Sequence, residues 1–261
     1  MSDPARETSK RASPETEEAT THFGFRTVPE ADKRSLVGAV FSSVASRYDL
    51  MNDLMSGGIH RFWKAALLDW LNPRPEQLLL DVGGGTGDIA FRFLDRGGGG
   101  ALVVDINREM LAVGRDRAID RGHLRGLDWV CGDGEHLPVA DSSVDAFTIA
   151  FAIRNVTHID AVLREARRVL KPGGHFLCLE FSRVSLPVLD RLYEAYSFRV
   201  LPLLGRVVAR DPEAYRYLAE SIRRFPSQER FAQMIGAAGL KQVKWRSLSG
   251  GIVALHSAWR I

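Results

Sequence analysis

Leu78, Leu79, Leu80, Asp81 and Val82 form an unbroken, largely apolar run that passes directly into Gly83-Gly84-Gly85-Thr86-Gly87. A run that apolar is a strand buried on both faces rather than on one, which places it in the middle of a covered parallel sheet. The pattern after it, Ile89, Ala90, Phe93 and Leu94, has helical spacing, so the glycines form a strand-to-helix turn. The alternation then repeats. Strands are predicted over 101–105, 127–131, 144–151 and 175–181, with helices near Asn107, a candidate N-cap, and over 161–170. Lys171-Pro172-Gly173-Gly174 stops the last of these helices. Strands and helices in alternation specify an α/β chain with helices on both faces of the sheet.

The flanks differ. Residues 1–30 are expected to be a disordered tail, because 1–22 carry Pro4, Pro14, several Ser and Thr, a net acidic charge and almost nothing large and apolar. That tail has neither the apolar stretch of a secretory signal nor the acid-poor composition of a transit peptide, so the expected compartment is the cytoplasm. Residues 31–261 are read as one domain. Two helices are predicted before the first strand, one over 33–48 and one carrying Phe62, Trp63, Ala66, Leu67, Trp70 and Leu71 and ending at Asn72-Pro73. Residues 183–230 interrupt the alternation as an Arg-rich, aromatic helical insertion after the fifth strand; a helix over 228–238 and two closing strands, 243–248 and 252–259, complete the chain. The charge balance, 35 basic against 32 acidic residues, is too even to argue for nucleic acid. Cys131 and Cys178 are expected to be buried free thiols, and no metal site is expected.

Three nucleotide readings compete for the glycine turn. A P-loop needs Gly-Lys-Ser/Thr, whereas Gly87 is followed by Asp88. The dinucleotide fingerprint would require glycine at 88, and Asp88 places a carboxylate where a pyrophosphate sits at a helix N-terminus. S-adenosylmethionine carries no phosphate and tolerates Asp88. Gly83 and Gly85 would let backbone approach that ligand, and Asp105, at the end of the next strand, would take both ribose hydroxyls. Asp133, at the end of the third strand, completes the set. The bland alternatives stay open: a tight turn without ligand, a solvated helix start at Asp105, and a turn former at Asp133.

Phe41 to Ser56, with Arg47-Tyr48-Asp49-Leu-Met51-Asn52-Asp53 at its centre, resembles the N-terminal signature of the ubiquinone/menaquinone biosynthesis C-methyltransferases, a family of class I methyltransferases. Asp81–Asp88, Arg154-Asn155-Val156, Leu170–Gly174, Glu180-Phe181-Ser182, Tyr215–Ile222 and Gly250–His256 resemble the same family, over roughly residues 36–261. The resemblance implies a Rossmann-like sheet of seven strands with the last antiparallel. It implies methyl transfer from S-adenosylmethionine to a ring carbon of a polyprenylated benzoquinol, of demethylmenaquinol, or of both. Its cofactor contacts fall on Thr86, Asp105 and Asp133-Gly134. The chain departs from the family at Asp133-Gly134, often Asn-Ala, and at Ala150, often serine. Another phenol or lipid as methyl acceptor, or a non-catalytic scaffold in a quinone-biosynthesis assembly, remain as alternatives. Peripheral membrane contact and a homodimer also stay open.

Carbon methylation of a quinol is helped by ionising a hydroxyl. If its pKa is near 10, that costs roughly 4 kcal/mol at pH 7. Arg154, in the apolar context Phe151-Ala152-Ile153, is the candidate to stabilise the phenolate or to polarise a water that takes the proton, with Asn155 and Asp53 orienting the group. A structural ion pair to Asp49, Asp53 or Glu180 is the competing assignment for Arg154. His60 and His256 read as a helix-start and a strand residue. Tyr193 and Tyr196 read as packing residues that could also stack on the quinol ring. The segment 192–208 reads as an amphipathic lid, with contact to a prenyl chain or a membrane surface as the sharper alternative.

Overall fold

A computed structural model of the chain describes residues 19–44, 53, 56–182 and 212–261. The expected disorder of residues 1–18, the signature centred on Arg47–Asn52, and Tyr193, Tyr196 and the 192–208 segment lie outside the described residues. In chain order come β1 (Thr20–Phe23), β2 (Arg26–Pro29), α1 (Glu30–Val44), α2 (His60–Leu71), β3 (Leu78–Val82), α3 (Asp88–Asp95), β4 (Gly100–Asp105), α4 (Arg108–Asp120) and β5 (Leu127–Cys131). They are followed by β6 (Val144–Ala150), α5 (Ile159–Val169), β7 (Leu170–Phe181), α6 (Pro212–Arg224), α7 (Gln228–Ala237), β8 (Lys241–Leu248) and β9 (Val253–Trp259).

One seven-stranded sheet runs in the order β5-β4-β3-β6-β7-β9-β8. Strands β3 to β7 pair in parallel, while β9 runs antiparallel to both β7 and β8. Side chains alternate across it. Leu79, Val103, Ala146 and Leu177 pack with Trp63, Leu67 and Phe93 on one face. Leu80, Val104, Phe147 and Phe176 pack with Val162, Ala166, Phe231 and Ile235 on the other. The order reverses between β3 and β6, so the carboxyl ends of β3, β4 and β6 border one crevice.

Local signals account for several boundaries. Asn72 ends α2 in the left-handed region (φ 55°), its N–H donating to the Leu68 carbonyl. The Asn107 side chain accepts from the Met110 N–H and caps α4, as its sequence suggests. Two expectations are corrected. The tail boundary at residue 30 is too late, because 20–29 form an antiparallel hairpin. Phe23 anchors it by stacking on Tyr217, with ring centroids 4.3 Å apart, and the Phe25 N–H donates to Glu220 Oε2 at 2.9 Å. Cys178 is buried as expected but Cys131 is exposed, since β5 is an edge strand.

At the end of β3, Asp81 is wholly buried. The Thr148 hydroxyl donates to its Oδ1 at 2.7 Å, and among the described residues Oδ2 has no hydrogen-bond partner. Burial pushes this carboxyl up to about 7, against the pull of the Thr148 bond and Lys64. An acid raised in the folded state loses its proton first in the unfolded chain. Its contribution is therefore full below the ordinary value of 3.8 and is lost as pH rises to about 7. Urea denaturation should show wild type losing about 4 kcal/mol relative to Asp81→Asn between pH 4 and 7. A difference between the two proteins that does not vary with pH would contradict this protonation.

Candidate functional site

Two glycines open the crevice. Gly83 and Gly85 have φ of 62° and 57°, a region costly for any residue with a Cβ. A Cβ at Gly83 would meet Ala152 Cβ at 2.4 Å, and one at Gly85 would meet Met110 Cε at 2.9 Å. Side chains here would fill the cradle. The loop is held by its own amides: the Gly83 N–H donates to the Val104 carbonyl at 2.7 Å and the Gly85 N–H to Asp105 Oδ2 at 2.9 Å. Asp105 Oδ1 accepts from the Asn107 N–H at 2.8 Å. Burial pushes the Asp105 carboxyl up, while the Asn107, Gly85 and Ile106 amides pull it back.

The cleft holds about 870 Å³ of empty space, its open mouth included. The β-strand ends supply Gly83, Gly85, Asp105, Asp133 and Gly134 to its wall, and the loop after β6 supplies Phe151, Ala152 and Asn155. Its cover is α1, which contributes Arg34, Val37, Gly38 and Phe41. Several contacts fasten that cover. Arg34 forms an ion pair with Asp133 Oδ2, Ser42 donates to Glu109 Oε2, and Asn107 Nδ2 donates to the Ser42 hydroxyl at 3.0 Å. Buried Lys33 donates to the Val156 carbonyl at 2.7 Å. His158 bridges Glu30 and Glu135, at 3.3 and 2.8 Å. The Glu135 hydrogen bond raises the pKa of His158.

Of the candidate residues, Gly83, Gly85, Asp105, Asp133, Gly134 and Asn155 all border the cleft. Thr86, Arg154 and Asp53 do not. Thr86 is buried, with Oγ1 accepting from Arg117 Nη1 at 3.2 Å. Asp53 accepts from Arg61 Nη2 at 2.8 Å and lies 3.7 Å from His60 Nε2. His60 starts α2 and is buried beside Lys64, which with desolvation pushes it down to about 4. His256 sits in β9, with its Nε2 3.1 Å from the Gln228 carbonyl.

Arg154 takes the ion-pair arrangement that the sequence left as its competing assignment. It does not face the cleft. Its side chain is 3% exposed and pairs with Glu180, 1% exposed, at 2.8 Å. Nη1 also donates to the Phe151 carbonyl at 2.6 Å, and the guanidinium lies 5.5 Å from the Phe181 ring centroid. An arginine in so apolar a setting needs an anion, and Glu180 supplies one. The contact puts Phe151, at φ 58°, into the cleft wall. Sequence reasoning missed Arg34, Asn107 as a link to α1, Glu135 and Tyr217. For Tyr217, whose hydroxyl donates to Asn155 Oδ1 at 3.0 Å, the 215–222 match was the available signal.

The model of the ubiE/COQ5 methyltransferase family matches residues 23–260. The chain is 59% identical to the ubiquinone/menaquinone biosynthesis C-methyltransferase UbiE of Paracoccus denitrificans, over 92% of this chain and 97% of that one. It is 51% identical to the mitochondrial 2-methoxy-6-polyprenyl-1,4-benzoquinol methylase of Rattus norvegicus, over 93% of this chain and 85% of that one. Among solved structures, a SAM-dependent methyltransferase from Thermotoga maritima superposes with a TM-score of 0.58 at 22% identity, covering 85% of this chain and all of that one. A SAM-dependent methyltransferase from Aquifex aeolicus gives 0.56 at 17%, covering 76% and 89%. At such identities the structures establish the fold alone.

Arg154→Ala leaves Glu180 buried without its cation. Urea denaturation should show a loss of about 3–5 kcal/mol, most of it recovered when Glu180→Gln is added. An Arg154→Ala protein as stable as wild type but with turnover lost would return the guanidinium to the reacting groups.

Proposed function

The chain belongs to the ubiE/COQ5 methyltransferase family, and from that premise we propose that it methylates a ring carbon of a polyprenylated benzoquinol, of demethylmenaquinol, or of both, with S-adenosylmethionine as donor. The observation that carries this reading is the glycine-opened cleft at the sheet's switch point, with Asp105 at the end of β4 on one side and Asn155 on the other.

The residues fit the donor. Gly83 and Gly85 leave the space a Cβ would occupy. The Asp105 carboxylate accepts from the Gly85, Asn107 and Ile106 amides and, with four lone-pair sites in all, can still accept from a ribose hydroxyl. Asp133 and Glu135 give the cleft an acidic lining, and its cation Arg34 is already committed to Asp133. Such a lining suits a ligand bearing a sulfonium. Asp133 and Gly134 border the adenine end, where Asp133 can accept from an amino group.

When bound, the donor supplies a methyl group whose bonding pair returns to sulfur. The ring carbon provides the new bond's electrons, and its proton then passes to water at the cleft's open mouth, which restores the aromatic ring. Ile149, Phe151, Ala152 and Val156 line the cleft and keep water from the reacting carbon. Asn155 presents its amide to the quinol oxygen, where negative charge develops. Arg154 and Glu180 act indirectly, by holding the 151–155 loop against β7. Asp53 orients Arg61 and His60 rather than the quinol. Among the described residues no helix is long and apolar enough to cross a membrane, and no group of three or more His, Cys, Asp or Glu is placed to hold a metal.

Titration calorimetry with S-adenosylmethionine tests the site. Asp105→Ala removes acceptors worth about 1.5–3 kcal/mol each, so affinity should fall at least ~tenfold. Asp105→Asn, which keeps an acceptor for the loop amides, should lose less. Equal affinity in wild type and both variants would move the ribose elsewhere, and an extract assay with no methylated prenylquinol would overturn the activity itself.

A further inference from the structure

Tyr217 lies outside the cofactor cleft, 4% exposed, on α6. Its ring is clamped against Phe23 of the N-terminal hairpin, the planes only 18° apart. Its hydroxyl reaches across 62 residues of sequence to Asn155, which it meets at Oδ1. Asn155 ends the short turn Ile153–Asn155, where its own N–H donates to the Ala152 carbonyl at 3.0 Å. Its backbone is therefore fixed, and only the amide plane is left to orient.

An asparagine amide presents one acceptor and two donors. With Oδ1 bound by a phenol O–H, the end left for the cleft is Nδ2, and among the described residues nothing accepts from it. We propose that Tyr217 is a positioning residue for methyl transfer: it locks the Asn155 amide so that Nδ2–H, and not Oδ1, meets the ionising oxygen of the quinol. This rests on the quinol reading above. A donor there stabilises the phenolate over the neutral hydroxyl, whereas an oxygen would oppose ionisation. The hairpin takes part in the same arrangement, because Phe23 fixes the ring that fixes the amide.

The device works across the physiological range because burial keeps the Tyr217 hydroxyl protonated, with its pKa pushed up to about 12. The charged groups near it are the Arg154–Glu180 pair, and Lys33, His22 and Arg224 in the polar cavity behind the ring. On the cleft side stand Asp105, Asp133, Glu135 and Arg34, with His158 beside Glu135. Tyr217→Phe alters none of these charges and preserves the stack on Phe23, so a pH shift between the two proteins reports the amide.

The test compares wild type, Tyr217→Phe and Asn155→Asp, the last offering only oxygens. Turnover of a prenylated quinol is followed from pH 6.5 to 9.5 alongside melting. In parallel, a prenylated methoxyphenol, which cannot oxidise to a quinone, is titrated by absorbance in complex with each protein and S-adenosylhomocysteine. Tyr217→Phe should lower kcat about tenfold at pH 7, move the rising limb of the kcat profile up about one pH unit, and raise the pKa of the bound phenol equally. Donor affinity should stay within about twofold and Tm within a few degrees. Asn155→Asp should lose about a hundredfold in kcat with donor affinity retained. A wild type that turns over while Tyr217→Phe leaves limb and bound pKa unshifted overturns the inference alone. So does a loss that tracks Tm and donor affinity. A wild type inert toward prenylated quinols overturns the reading beneath it, and the inference with it.

Discussion

The ion pair between Arg154 and Glu180 joins the exit of β6 to the end of β7 inside the core. Taking two charges out of water is costly, and their attraction offsets that cost only when the remaining donors and acceptors are also used. Here the carboxylate is well supplied, while Arg154 Nε is buried with no partner among the described residues. Nη1 serves both Glu180 and the Phe151 carbonyl, and Glu180 Oε1 also accepts from the Phe181 N–H at 2.8 Å. Buried pairs are weak evidence for stability, but this one selects a single path for the chain after β6. Phe151 is held with positive φ and the following turn is closed. The cleft wall from Phe151 to Asn155 exists in that form because the carbonyl of Phe151 is turned toward a guanidinium.

A second dependence runs through α1. It lies over the crevice and contacts β1 and β2 as well as α4 and α6. Its polar contacts reach three parts of the cleft wall. Arg34 meets Asp133, Ser42 meets Asn107 behind Asp105, and Lys33 meets the loop that carries Val156. An adenine amino group that reaches Asp133 must share that carboxylate with Arg34. In the proposed site, donor binding and the seating of α1 would thereby be coupled through Asp133. The hairpin of residues 20–29 belongs to the same unit, since Phe23, Val37 and Tyr217 share one small core.

The sheet was legible in the sequence because its central strands are largely apolar and its turns are marked by Gly, Pro, Asn and Asp, signals carried by neighbouring residues. The antiparallel last strand came from the resemblance and not from periodicity. The hairpin was not legible. Its residues lack alternation, and it is held by partners, Tyr217 and Glu220, almost two hundred residues away. At the site the same division holds. Gly83, Gly85, Asp105, Asp133 and Gly134 sit at strand ends, where position follows from topology. For Arg154 an apolar context says that an arginine needs an anion and does not say which one. Thr86 follows the glycines in sequence, yet its hydroxyl is bound to Arg117 and does not border the cleft.

The choice of nucleotide also changes its physical basis. Asp88 was read as a bare carboxylate at a helix N-terminus that repels a pyrophosphate. It is ionised, held down to about 2 against the cost of burial, but by Lys64 and Arg92 at 2.9 and 3.1 Å, so most of its repulsion is spent locally. The loop itself is the stronger discriminator. A phosphate needs free backbone N–H groups at such a turn. Here the amides of Gly83 and Gly84 donate to the Val104 carbonyl, that of Gly85 to Asp105, and that of Gly87 to the Gly84 carbonyl. With those four donors committed inside the protein, the loop offers close approach and fewer free N–H groups for an anion. Beside Asp105, Asp133 and Glu135, that favours an adenosyl group bearing positive charge over one bearing phosphates.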